Sequence, residues 1–505
     1  MYMEIQKIEQ QFLELNKKMM NYNEAISVMY WDLRTGAPKN GAEQRSNVIS
    51  QLSAEVFAMS TSSEMNDYLT KLENVIGTGV LSDVTEKSVK ECRKDYNLNV
   101  KIPPEEYREF VKLTALSESA WEEAKAEANF EKFQPFIEKI VEAKKKFIEY
   151  WGYNDKKYDT LLDLYEPGMT TKKLDEVFKK VREELVPLVA AIAKTGKSLQ
   201  GDFLFKPLEI QRQKRICEDI LTQLGYNFDS GRLDESVHPF QITLNPGDVR
   251  VTTKYIEDNF MSALFGTIHE CGHALYEQNI STKLIGTPLC GGSSMGIHES
   301  QSLFFENIVG RSKEFWTNQF AVLKDNAGDY LENVTFEEFY ESVNHSEPSL
   351  IRIEADELTY PLHIMVRYEI EKELFDGSLE VKDLPRVWNQ KMEEYLGITP
   401  SNDAEGVLQD VHWSGGDFGY FPSYALGAMY SAQFKNTLVK EMPSYEELLE
   451  QGQIEPIVNW LTKNIHQHGR LKTPSEILVD VTGEELNVTH FINYLTDKYT
   501  SLYKL

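Results

Sequence analysis

Cysteine is scarce in this chain: Cys92, Cys217, Cys271 and Cys290 are the four among 505 residues. No two of them form a C-x-x-C pair or a framework spacing, which excludes a disulfide-stapled scaffold and reads as reduced thiols in a reducing compartment. Long apolar runs are missing too. No stretch approaches the roughly 18 apolar residues that a membrane span requires, and the opening segment through Lys18 lacks the apolar core of a signal peptide. A cytoplasmic location is the expectation. Positive charge is in the minority, with 53 Lys and Arg against 80 Asp and Glu and a formal net charge of −27. A surface of that sign repels phosphate backbones and anionic headgroups, so neither nucleic acid nor membrane is an expected partner. Low-complexity tracts and repeats of fixed period are absent, which excludes solenoids and beaded linkers.

What is present is an ordinary globular composition, 41% hydrophobic and 26% charged, in helical patterns. Ile5, Ile8, Phe12, Leu15, Met19, Tyr22, Ile26 and Met29 recur at steps of three and four, one apolar stripe along a long helix. Such a stripe can be a dimer seam or a core face, and core packing is the commoner cause. Similar patterns over 104–127, 131–150, 172–195, 208–225 and 356–375, with turns at Pro103-Pro104 and Tyr165–Gly168 between them, predict a mainly α chain. Capping boxes are expected at Ser444 with Glu447, Thr473 with Glu476, and Thr482 with Glu485. The whole of 1–505 reads as one domain: a helical part to about 230, a motif-bearing part over 238–422, and a helical part over 423–505.

One stretch departs from the helical pattern. Residues 238–253 carry β-branched residues, alternation and an Asn-Pro-Gly turn, which predicts a small hairpin or sheet. It ends just before a helix expected over roughly 257–280. That helix carries H-E-x-x-H at His269–His273, and a 3.6-residue turn puts both histidines on one face, where both imidazoles reach one ion. Glu270 projects beside that face, in position to act as general base toward water activated by the metal. From this composition the motif arises by chance on the order of 0.02 times per chain, which leaves a small place for two unrelated histidines.

Catalytic zinc usually takes three protein ligands. A second candidate helix, Gly296 to Glu306, offers His298, Glu299 and Glu306. Gly272 inside the motif helix costs about 1 kcal/mol relative to alanine, which points to another element packed against it, and the Glu299 helix is the candidate.

The order of blocks resembles that of the carboxypeptidase Taq family of metallocarboxypeptidases. The resemblance is carried by His238-Pro239-Phe240, Asp248–Thr252, His269–His273, His298–Gln301, Ile351–Asp356 and Gly406–Trp413, with Tyr30–Pro38 as an N-terminal block. It spans nearly the whole chain, and the joint order is more specific than any one block. It implies that Glu299 is the third ligand, with His298 beyond it. It also implies a mostly helical fold with a long deep groove, similar to other gluzincins such as the oligopeptidases and angiotensin-converting enzymes, and a homodimer.

Removing a C-terminal residue requires recognition of a free carboxylate, and an anionic protein must concentrate positive charge locally to achieve it. Arg352 is the candidate clamp, with Arg250 and His238 in support; a structural ion pair, for Arg250 with Asp248, is the plainer alternative. For the developing oxyanion, Tyr420 and His412 are the candidate donors, in part through the resemblance. The hairpin edge can add a substrate strand. Zinc suits the ligand set, with cobalt or manganese able to occupy it. The expected substrates are peptides with a free C-terminus. A helical metallo-endopeptidase and a catalytically silent zinc-binding scaffold are the rival readings.

Overall fold

The stripe from Ile5 to Met29 becomes the inner face of one helix, α1 (Tyr2–Thr35), in the computed structural model, which describes residues 2–505. Ile8, Phe12 and Met19 of α1 are buried with Met65, Leu69 and Leu72 of α3 (Ser63–Glu73) and Val89 of α4 (Asp83–Val100) in a small N-terminal core. Between them α2 (Ala42–Ser60) lies along α1 with Ile49 as its one buried residue. The stripe is therefore spent within the chain.

The expected helices are present as Pro104–Ala126, Phe130–Trp151, Thr171–Thr195, Ile210–Gln223 and Tyr360–Asp376. The last begins four residues later than the periodicity suggests. Its first turn is displaced by Asp356, whose carboxylate accepts from the backbone of Leu358 and Thr359 and from the Ser346 hydroxyl, and Pro361 then opens the helix without a missing donor. Of the three capping boxes, Thr473 and Glu476 form both reciprocal bonds. The other two do not form. Ser444 precedes the helix Tyr445–Glu450 without a side-chain cap. Thr482 ends the helix Pro474–Thr482, its hydroxyl donating back to the Leu478 carbonyl at 2.8 Å while Gly483, at φ +77°, stops the helix.

The predicted hairpin is β2 (Gln241–Asn245) paired antiparallel with β3 (Asp248–Thr253). A further strand, β1 (Leu233–Glu235), runs parallel to β3 on its other side, giving the order β1-β3-β2. Three residues are too few to show alternation, so β1 is not legible in sequence. Val249, Val251 and Thr253 are buried, and Thr253 Oγ1 donates to the Ala263 carbonyl of the motif helix, Phe260–Gln278. The strand β2 is an edge, lying against α1 and the motif helix.

Asn259 caps the motif helix, accepting from the Ser262 amide, and the helix is buried on most of its surface. The second expected helix is shorter than 296–306. An α-helical ligand helix, Met295–Leu303, is capped by Ser294 and passes into a π-helical segment, Phe304–Val309, that contains Glu306. Such wider turns occur often at functional sites. A methyl group at Gly272 would stand 2.4 Å from the Gln301 carbonyl oxygen and 2.6 Å from Ser302 Cα. The two helices cross backbone to backbone at that glycine. Behind the ligand helix lies a buttress helix, Pro422–Glu441, buried along most of its length. Among the described residues no helix is long and apolar enough to cross a membrane.

Candidate metal centre

The crossing at Gly272 brings the ligand helix over the face that carries the two histidines. Glu299 Oε2 is 3.9 Å from His269 Nε2 and 3.5 Å from His273 Nε2, and ligand atoms of the three residues all lie within 4.8 Å of one another. Tetrahedral zinc with bonds of about 2.0–2.1 Å requires ligand separations of roughly 3.3 Å, so this donor set closes on one ion with small adjustments.

The electrostatics favour a cation here. Burial opposes a charged His269, yet Glu299, Glu306 and Glu270 outweigh it and push the imidazole up to about 10. His273 goes the other way: burial and the neighbouring His298 hold it down to about 4. The site thus attracts positive charge and holds one imidazole neutral, with a lone pair available to a cation. The His273 Nδ1 atom is buried without a partner. Glu270 is buried beside the ligands, and burial pushes its carboxyl up to about 7 against the pull of His269.

The rest of the His298–Glu306 stretch is now placed. His298 is not in the ligand set: its ring stacks on His273 at 4.4 Å and its Nε2 lies 3.1 Å from Glu277, which also accepts from the Gly292 amide. Glu306 meets the outer nitrogen of His269, with Oε2 2.9 Å from Nδ1, and its Oε1 accepts from Arg311 at 3.1 Å. Burial alone would raise the Glu306 pKa, but His269 and Arg311 hold it down to about 2. With a proton held on Nδ1 by Glu306, the Nε2 proton on the side of Glu299 is the one that a cation would displace. Arg311, packed 4.1 Å over the Phe265 ring, carries no motif signal in the sequence.

Arg352 is buried beside the Tyr420–Tyr424 segment. Its Nε and Nη2 donate to Asp410 Oδ1 at 3.0 and 2.8 Å, its Nη1 donates to the Tyr360 hydroxyl at 3.1 Å, and the guanidinium lies over the Tyr424 and Phe421 rings. Arg367 binds the other oxygen of Asp410. Two guanidiniums against one carboxylate leave a net positive charge in a buried pocket. Burial raises the Tyr360, Tyr420 and Tyr424 phenols, and the charge of Glu299 adds to the rise in each. His412 stacks on Tyr420 at 5.6 Å, its Nε2 is 3.5 Å from the Tyr424 hydroxyl, and burial holds it down to about 4 and neutral. Asp410 lies within the block Gly406–Trp413 and Tyr424 four residues beyond Tyr420, and neither carries a signal of its own in the sequence. Glu371 was missed outright: it accepts from Trp413 Nε1, the Gly419 amide and the Tyr158 hydroxyl at 2.7, 2.7 and 2.6 Å, anchoring the segment that carries His412 and Tyr420.

Neither Arg250 nor His238 is joined to this cluster by a hydrogen bond or ion pair. Arg250 is held by Asp248 through bonds of 2.8 and 2.7 Å and lies over the Trp31 ring, and the His238 side chain is exposed. A cavity of about 530 Å³ opens between α1, β2 and the loop before the ligand helix. Its lining includes His298 and Glu277 but none of His269, His273 and Glu299.

Comparison with known proteins agrees across the full length. The family model for carboxypeptidase Taq (M32) metallopeptidases matches residues 11–499. Carboxypeptidase 1 of Bacillus subtilis (strain 168) is 51% identical over 503 residues, covering all of both chains. Thermostable carboxypeptidase 1 of Thermus thermophilus is 38% identical, with 98% of each chain covered. The crystal structure of an M32 carboxypeptidase from Deinococcus radiodurans R1 superposes with a TM-score of 0.95 at 36% identity, over 99% of this chain and all of that one. The chain belongs to the carboxypeptidase Taq (M32) family and is a metallocarboxypeptidase.

Proposed function

We propose that His269, His273 and Glu299 hold one zinc ion, that Glu270 is the general base, and that Arg352 receives the C-terminal carboxylate of a peptide substrate. The observation that carries this reading is the convergence of two imidazole nitrogens and one carboxylate oxygen within 4.8 Å. Three ligands of nitrogen and oxygen type form a catalytic zinc set, and cobalt or manganese can occupy the same donors. Bound there, a divalent cation supplies Lewis acidity for the scissile carbonyl and for attacking water.

The chain's own groups do the rest. Glu270 accepts the proton of the attacking water and returns it to the leaving amine, a transfer suited to a carboxyl pushed up to about 7. Tyr420 and neutral His412 donate toward the oxyanion. Arg352, with Arg367 leaving positive charge beyond what Asp410 neutralises, draws the terminal carboxylate and fixes the scissile bond against the cluster. The edge of β2 accepts the peptide backbone as an added strand, with His238 just upstream. Arg250 serves the hairpin through Asp248.

We read 1–505 as one catalytic domain. The four unpaired cysteines fit a cytoplasmic protein. A homodimer follows from the family resemblance, and sedimentation tests it. The endopeptidase alternative differs in one respect, the carboxylate clamp. A peptide and its C-terminal amide separate the two: strong preference for the free acid is expected, and equal cleavage contradicts the clamp.

A further inference from the structure

Glu166 lies far from every motif, in the turn between the helices Lys157–Tyr165 and Thr171–Thr195, yet it is buried at the N-terminus of the ligand helix. Its Oε2 accepts from the Gly296 amide at 3.0 Å and its Oε1 accepts from the Tyr430 hydroxyl of the buttress helix at 2.9 Å. Ser294 Oγ caps the same helix end, accepting from the Ile297 amide at 3.0 Å. No lysine or arginine pairs with this carboxylate among the described ion pairs. The positive end of the ligand helix takes that place.

The fit is tight. A methyl group at Gly296 would meet Glu166 Oε2 at 2.5 Å, so the carboxylate fills the space that a side chain would occupy. One turn along, Glu299 packs against Gly427 of the buttress helix, where an added methyl would stand 2.6 Å from Glu299 Cγ. Gly296 faces Tyr430 and Glu299 faces Gly427, so the two helices run antiparallel, and Glu166 ties both together one turn from Glu299. A shift of either helix moves that carboxylate relative to His269 and His273.

We propose that Glu166 is a positioning residue for the metal centre, setting the height of Glu299 over the two histidines by clamping the start of the ligand helix to the buttress helix. This rests on Glu299 being a metal ligand. Groups that orient ligands from outside the ligand set typically change metal affinity by about 10–100-fold, and Glu166, acting through one helical turn, belongs at the lower end.

The test is chelator competition for Zn²⁺ and the visible spectrum of the Co²⁺-loaded protein, in the full chain and four variants. Glu166→Gln keeps the size of the side chain and should weaken Zn²⁺ binding about tenfold and shift the cobalt spectrum. Tyr430→Phe, which removes one of the two bonds, should move both readouts in the same direction by less, and it decides the matter if Glu166→Gln does not fold. Leu69→Ala in the N-terminal core should lower the melting temperature with metal affinity unchanged. Wild-type affinity and an unshifted spectrum in the Glu166 and Tyr430 variants would overturn the proposal, as would equal weakening in Leu69→Ala. Glu299→Gln separates the two layers: if it binds Zn²⁺ like wild type, the ligand assignment itself fails; if it alone loses metal, the positioning role fails.

Discussion

The Oε2 atom of Glu306 lies 2.9 Å from Nδ1 of His269, on the opposite side of the imidazole from the nitrogen that faces Glu299. This one contact fixes ring orientation and keeps the proton on Nδ1, so that Nε2 is the nitrogen available to a cation. Glu306→Gln removes the charge and permits either ring orientation. Zn²⁺ affinity should fall by about 10–100-fold, measured by chelator competition. Unchanged affinity would mean that the motif helix alone orients His269.

The share of this centre that is legible in sequence follows from distance along the chain. His269, Glu270 and His273 are legible because helical periodicity alone fixes their relation. Glu299 is 26 residues beyond His273, where the residues alone offer His298 and Glu306 beside it; the family resemblance singles out Glu299. Gly272 was the physical signal that a second backbone crosses there, and the crossing is with Gln301 and Ser302. Arg311, Glu371 and Glu166 act through contacts 5 to 264 residues away in sequence, with no periodicity or motif to mark them. The capping boxes show the same limit: Thr482 has the right spacing to Glu485, but Gly483 ends a helix where the pattern would begin one.

Arg352 shares Asp410 with Arg367, so removing Arg352 leaves the buried carboxylate still paired. Arg352→Met should therefore keep the fold while kcat/KM on free-acid peptides drops by about 100-fold, the usual scale for losing a positioning contact. The ratio of kcat/KM for a free-acid peptide to that for its amide is the sharper measure. It should collapse toward one; an intact ratio would place carboxylate recognition elsewhere.

His466 is fully buried, its Nε2–H donating to Gln301 Oε1 at 2.9 Å, and burial together with the neighbouring His298 holds it down to about 3. In the unfolded chain a histidine titrates near about 6.5. Between these values the unfolded state binds the extra proton. The contribution of neutral His466 is therefore complete above pH 6.5 or so and is lost as pH falls toward the folded value. Urea unfolding of wild type and His466→Asn, followed from pH 7 to pH 4, should show the wild-type advantage shrinking as pH drops. Parallel curves would mean that His466 is not held neutral.

Metal content and hydrolysis measured side by side for Glu270→Gln and wild type test the central assignment most directly. The variant should bind one Zn²⁺ per chain like wild type while its kcat falls by roughly 10²–10⁴-fold, the range a general base supplies. Robust turnover by the metal-loaded variant would contradict that assignment.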